Sequence, residues 1–95
     1  MPAFVVVDIE VTDPVQYEEY KKLAAPTVTA HGGKYVVRGG EAVHLEGERP
    51  PGRVVVLEFP NLERARAWWN SESYAPAKAI RQASARTEMV LVDGV

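Results

Sequence analysis

The sequence predicts an α+β fold: a four-stranded antiparallel sheet in the order β-α-β-β-α-β, with its helices packed on one side. Three observations predict it. Four apolar, β-branched stretches follow the two-residue period of a strand. The first and third are each followed by a helical pattern opened by a capping residue beside a proline. No helix-sized segment separates the second from the third, which excludes a doubly wound parallel sheet. In the spatial order 4-1-3-2 both β-α crossovers are right-handed.

Ala3 to Val11 is the first strand, rich in valine and ending in strict alternation. Asp13-Pro14-Val15-Gln16 then reads as a helix start, with Asp13 as cap, Pro14 at the first helical position and Gln16 able to return a bond. Tyr20, Leu23, Ala24, Thr27, Val28 and His31 fall at helical spacing and form the expected buried stripe. Pro26 removes an amide inside this helix and predicts a kink. Gly32 is the expected left-handed cap.

Lys34 to Arg38 is the second strand, stopped by Gly39-Gly40. The polar stretch Glu41 to Gly52 connects it to the third, and Val43-His44-Leu45 within it suits a short strand or flap. Arg53 to Phe59 is the third strand, and Asn61 caps a helix with Leu62, Ala65, Trp68 and Trp69 as apolar positions. Asn70-Ser71-Glu72-Ser73 breaks that helix, Tyr74 to Ala83 forms a shorter one, and Thr87 to Val92 is the last strand.

Ninety-five residues make one domain, residues 1–95. No apolar run approaches the roughly 20 residues that span a bilayer, no basic leader precedes an apolar stretch, and a cytoplasmic location is expected. The chain has no cysteine, which removes disulfides and thiol chemistry. A net charge of −2 argues against general binding to nucleic acid or anionic membranes. An RNA-recognition domain shares the element order, but its base-stacking aromatics are replaced on the third strand by valines and Glu58.

Both faces of the strands are apolar. Val5, Val7 and Ile9 alternate with Phe4 and Val6; Val55, Leu57 and Phe59 alternate with Val54 and Val56; Met89 and Leu91 alternate with Val90 and Val92. Strict alternation in the second strand sets Tyr35 and Val37 against Val36 and Arg38. The helices cover one face only, and four strands of about five residues leave roughly 300 Å² on the other, near the largest patch a monomer exposes. A homodimer joined through the sheet faces is the expected solution; the alternative is a monomer kept soluble by Asp8, Glu10, Lys34 and Arg38.

The runs Gly32-Gly33-Lys34-Tyr35-Val36-Val37-Arg38-Gly39-Gly40, Leu45-Glu46-Gly47, Leu57-Glu58-Phe59-Pro60 and Ala67-Trp68-Trp69-Asn70-Ser71-Glu72-Ser73-Tyr74 together resemble domain-of-unknown-function family 1330. The resemblance extends to Val92-Asp93-Gly94 and covers nearly the whole chain. It implies the dimeric α/β-barrel fold of ferredoxin-like homodimers. That superfamily includes cofactor-independent monooxygenases, lactone isomerases and haem enzymes, so the fold alone selects no chemistry.

Several side chains carry candidate chemistry. The fork of Arg38 suits a carboxylate or enolate oxygen, or else an ion pair with Asp8, Glu10 or a partner acid. Glu58 among valines suits general-base work, or an ion pair at the strand edge. His44 in the connection suits an acid, base or ligand role, or is solvated; His31 suits a helix-end cap or a place in a pocket. Tyr20, Trp68 and Tyr74 offer pocket walls or core packing, and Arg81, seven residues beyond Tyr74, suits the same site or solvent. Two histidines at no metal-binding spacing give no basis for a zinc or haem site, so no cofactor is expected. The expected function is binding of a small acidic or aromatic molecule, with cofactor-independent monooxygenase- or isomerase-like chemistry as its catalytic form. The alternative is a non-catalytic binding or dimerisation module.

Overall fold

The computed structural model describes residues 1–95, in the order β1 (Ala3–Val11), α1 (Pro14–Ala30), β2 (Lys34–Arg38), β3 (Arg53–Phe59), α2 (Leu62–Trp69), α3 (Ala75–Ser84) and β4 (Ala85–Asp93). The strands form one antiparallel sheet, β2-β3-β1-β4, as the sequence predicts. Cα extents of 34 × 33 × 17 Å describe a slab two layers deep, a sheet with helices over one face. No helix is long and apolar enough to cross a membrane.

The core lies between these layers. Val5, Val7, Ile9, Val55, Leu57 and Phe59 point toward the helices and are buried against Tyr17, Val28, Ala65, Trp68 and Tyr74. Each large apolar side chain buried here contributes about 1.5–3 kcal/mol. Aromatic packing concentrates around Trp68, whose ring centroid lies 5.4 Å from Phe59 and 4.2 Å from Tyr74. Its indole Nε1 donates to Thr27 Oγ1 at 3.0 Å, and Thr27 in turn donates to the Ala24 carbonyl at 2.6 Å. The indole therefore enters the core with its polar atom satisfied.

Asp13 caps α1 by accepting from the Gln16 amide at 3.1 Å, and Pro14 occupies the first turn. The helix continues through Pro26. It ends in paired bonds from Gly33 N to Val28 O (2.9 Å) and Gly32 N to Thr29 O (3.0 Å), with Gly32 at φ 77°. This is the left-handed glycine stop expected from the sequence. The buried stripe differs from expectation: Tyr17 belongs to it with Ala24, Thr27 and Val28, whereas Leu23 is 45% exposed. The large Tyr17 ring fills the space one turn before Tyr20 and shifts the covered face away from Leu23.

A bulge in β2 overturns the strict alternation expected there. Tyr35 pairs with Leu57 and Val37 with Val56, leaving Val36 as the extra residue. Arg38 therefore pairs with Val55 and shares the helix-covered face with Tyr35, not the outer face. Residues 39–52 form no strand, and Leu45 is 92% exposed. At the other end of the chain α3 passes directly into β4, longer than expected at both bounds. Ala85 pairs with Val11, and the Ser84 carbonyl accepts from Thr12 N and Asp13 N.

On the outer face Phe4, Val6, Val54 and Val56 are half-buried, while Val36, Val37, Val90 and Val92 are exposed. No segment of the chain covers them. Asp8, Glu10 and Glu88 lie at one end of this face, where Arg49 pairs with Glu88 at 2.9 Å and Asp8 accepts from Gly52 N at 3.0 Å.

Candidate functional site

The bulge, the first residue of β3 and the second turn of α1 together build a cationic mouth between helix and sheet. Arg53 precedes Val55 by two residues, so the strand period turns it toward the helices beside Arg38. The Arg38 guanidinium stacks 4.1 Å from the centroid of Tyr35. Lys21, Lys22, Arg38 and Arg53 surround a depression of about 580 Å³ in which Glu18 is the single carboxylate, held by Lys21 at 2.9 Å. That contact also lowers the pKa of Glu18. The depression shares Lys21, Arg38 and Arg53 with a narrow apolar cavity of about 30 Å³, large enough for a water molecule and walled by Tyr17, Tyr20, Tyr35 and Trp68.

The tyrosines of this wall stay protonated. Burial raises the pKa of Tyr17, with the Arg53 charge opposing the rise. Burial likewise raises Tyr35 against the pull of Arg38, and it raises Tyr20 strongly, assisted by Tyr74. Neutral phenols donate hydrogen bonds, so the mouth combines fixed cations with donors. That combination suits an anionic oxygen.

The structure brings Tyr20, Trp68, Tyr74 and Arg81 into one cluster. Tyr20 Oη lies 3.1 Å from Tyr74 Oη, Arg81 Nε donates to Tyr74 Oη at 3.3 Å, and Trp68 stacks on Tyr74. Tyr74 is fully buried at the start of α3, where Ser71 Oγ accepts its amide. Arg38 lies on the same side of the sheet but is exposed at the mouth. Glu58 is on the opposite face, beside Lys34 at 3.7 Å. His31 caps α1, its Nδ1 2.8 Å from the Thr27 carbonyl oxygen. His44 stands in the exposed connection, and neither histidine lines the cavity.

Sequence reasoning missed Lys21, Tyr35 and Arg53 as site residues. Arg53 was legible, since it continues the inward phase of Val55, Leu57 and Phe59. The place of Arg38 was not, because nothing in Val36-Val37 signals an inserted residue.

Solved structures similar in fold include a protein of unknown function from Rhodopseudomonas palustris, at 18% identity and TM-score 0.83, matched over 99% of this chain and 82% of that one. A dimeric ferredoxin-like protein of unknown function from Jannaschia sp. CCS1 gives 14% identity and TM-score 0.76 over 99% and 100%. SnoaB, a cofactor-independent oxygenase from Streptomyces nogalater, gives 15% identity and TM-score 0.67 over 99% and 93%. These likenesses establish the ferredoxin-like fold. No curated protein matches the sequence. Residues 2–95 match the family described as Domain of unknown function (DUF1330), and the chain belongs to that family.

Proposed function

We propose that the chain works as a homodimer, sheet against sheet, and that each subunit binds a small acidic molecule with an apolar or aromatic body at the mouth between α1, β2 and β3. The observation that carries the binding reading is the gathering of Lys21, Lys22, Arg38 and Arg53 around one depression, in a chain whose net charge is −2. The arginine forks match a carboxylate or enolate, and Tyr17 and Tyr35 supply neutral donors beneath them. The ligand body lies in the depression and reaches inward only by displacing side chains at the rim, since the cavity below is water-sized. The uncovered valines of the outer face and the dimeric state described for the Jannaschia relative support the assembly.

Cofactor-independent oxygenation or isomerisation of such a ligand would use Arg38 and Arg53 to stabilise the oxygen on which charge develops. His44 and Glu58, the candidate proton carriers, both stand outside the cavity lining. Ligand binding is therefore the reading the site supports best.

Sedimentation tests the assembly, and thermal melting against a panel of aromatic and enolisable carboxylic acids tests the site. A ligand at 100 times its Kd adds about 2.7 kcal/mol of stability. Arg38→Gln and Arg53→Gln are each expected to shrink the melting shift of the acids that bind at the mouth, without altering sedimentation. A shift undiminished by both substitutions removes the mouth from the binding reading, and a monomer at micromolar concentration removes the dimer.

A further inference from the structure

Arg81 is 2% exposed and has no carboxylate partner. Its Nε donates to Tyr74 Oη at 3.3 Å and its Nη1 to Thr87 Oγ1 at 2.6 Å, both neutral acceptors. Nη2 is buried without any acceptor in the chain. A guanidinium withdrawn from water keeps its charge, and that charge is strongly unfavourable until an anion joins it. The surroundings provide for one. Arg81 lines a cleft of about 380 Å³ at the β4 edge together with Trp69, Gln82, Thr87 and Met89. The Arg81 guanidinium lies 5.7 Å from the Trp69 ring centroid, and Lys78 Nζ lies 4.1 Å from the same centroid without itself lining the cleft. Thr87 accepts from Arg81 and keeps its own hydroxyl hydrogen to donate. Trp69 and Met89 form apolar walls.

We infer that this cleft is a second anion site, separate from the depression beside α1, and that it takes a small planar carboxylate. The carboxylate takes the free Nη2 of Arg81, reached when side chains at the rim of the cleft move aside, and the flat body lies along Trp69 and Met89. The inference rests on Arg81 and its cleft alone and does not depend on the mouth at Arg38.

Calorimetric titration with benzoate, and with benzyl alcohol as its uncharged counterpart, tests the assignment in protein carrying Arg38→Gln, which disables the first site. Benzoate is expected to bind and benzyl alcohol is not. Adding Arg81→Met weakens benzoate by on the order of tenfold or more through loss of the charged fork. Gln82 is exposed on the cleft, so Gln82→Glu leaves the fold intact and weakens benzoate about threefold by repulsion. The second variant keeps the test decisive if Arg81→Met fails to fold. Absence of benzoate binding in the Arg38→Gln protein, or affinity unchanged by Gln82→Glu, overturns the second site. Neither result bears on the first, which is read from the Arg38→Gln and Arg53→Gln melting shifts.

Discussion

Gly39 lies directly against the guanidinium of Arg53: a β-carbon at Gly39 would stand 2.7 Å from both terminal nitrogens and closer still to Cζ. The glycine also holds φ at 71° while its amide donates to the Val54 carbonyl at 2.9 Å. The end of β2 thus shapes the mouth by what it omits.

Gly39→Ala is expected to destabilise the protein by about 1–2 kcal/mol through the left-handed backbone, and to push the flexible end of Arg53 aside. At Gly40 an added β-carbon meets nothing within 4 Å, so Gly40→Ala is expected to change stability by less than about 0.5 kcal/mol. Urea denaturation of the two variants separates steric from compositional effects. Equal losses at both positions contradict the packing argument.

Alkaline pH should destabilise the fold through its phenols. Tyr17, Tyr20 and Tyr35 all have pKa values raised above the ordinary 10.0. Below that value both states are neutral and the stability is fully present. Above it the unfolded chain releases protons that the folded chain retains, so stability falls as pH rises. Melting temperatures measured from about pH 8 to about pH 11 are expected to decline past 10, and Tyr20→Phe is expected to flatten the decline. A profile as steep in Tyr20→Phe as in the parent contradicts the assignment.

The bond between Trp68 and Thr27 crosses from α2 to α1 inside the core. Thr27→Val leaves the indole N–H without its acceptor and is expected to cost about 1–3 kcal/mol. Trp68→Phe loses the same bond together with packing volume, at a similar or larger cost of about 1–4 kcal/mol. The double variant should cost less than the sum, by the interaction energy that a denaturation cycle measures. Strict additivity would mean that the bond contributes nothing.

Val90 is 57% exposed on the outer sheet face, and Val15 is 81% exposed on α1. Val90→Lys is expected to convert the proposed dimer to a monomer in sedimentation, because an ammonium placed between two facing sheets would have to shed its water. Val15→Lys should leave the assembly unchanged. Identical sedimentation of both variants and the parent argues for a different interface.

The strands and both capping residues were legible because each signal is local. Asp13, Asn61 and Gly32 act within a turn of themselves, and the valine runs of β1 and β3 carry their own period. The candidate site was only half legible, because its geometry depends on distant coincidences. Tyr17 displaced Leu23 from the covered stripe because the ring found room beneath Arg53 and Tyr35, which lie far along the chain. Tyr20, Tyr74 and Arg81 were recognisable as candidates from residue type, but the hydroxyl-to-hydroxyl contact that unites them joins residues 54 positions apart.

The unpaired Val36 means that the bulge itself decides which surface of this sheet carries the charge of Arg38. Deleting Val36 would leave Arg38 on the covered face, whereas straightening the bulge with every residue kept would pair Arg38 with Val54 and roll it over to the side where Val54 and Val56 lie. The rim of the depression and the flat valine surface would then exchange a cation in one step. A bulge kept or lost at this point thus changes the charge of each surface while every side chain stays the same.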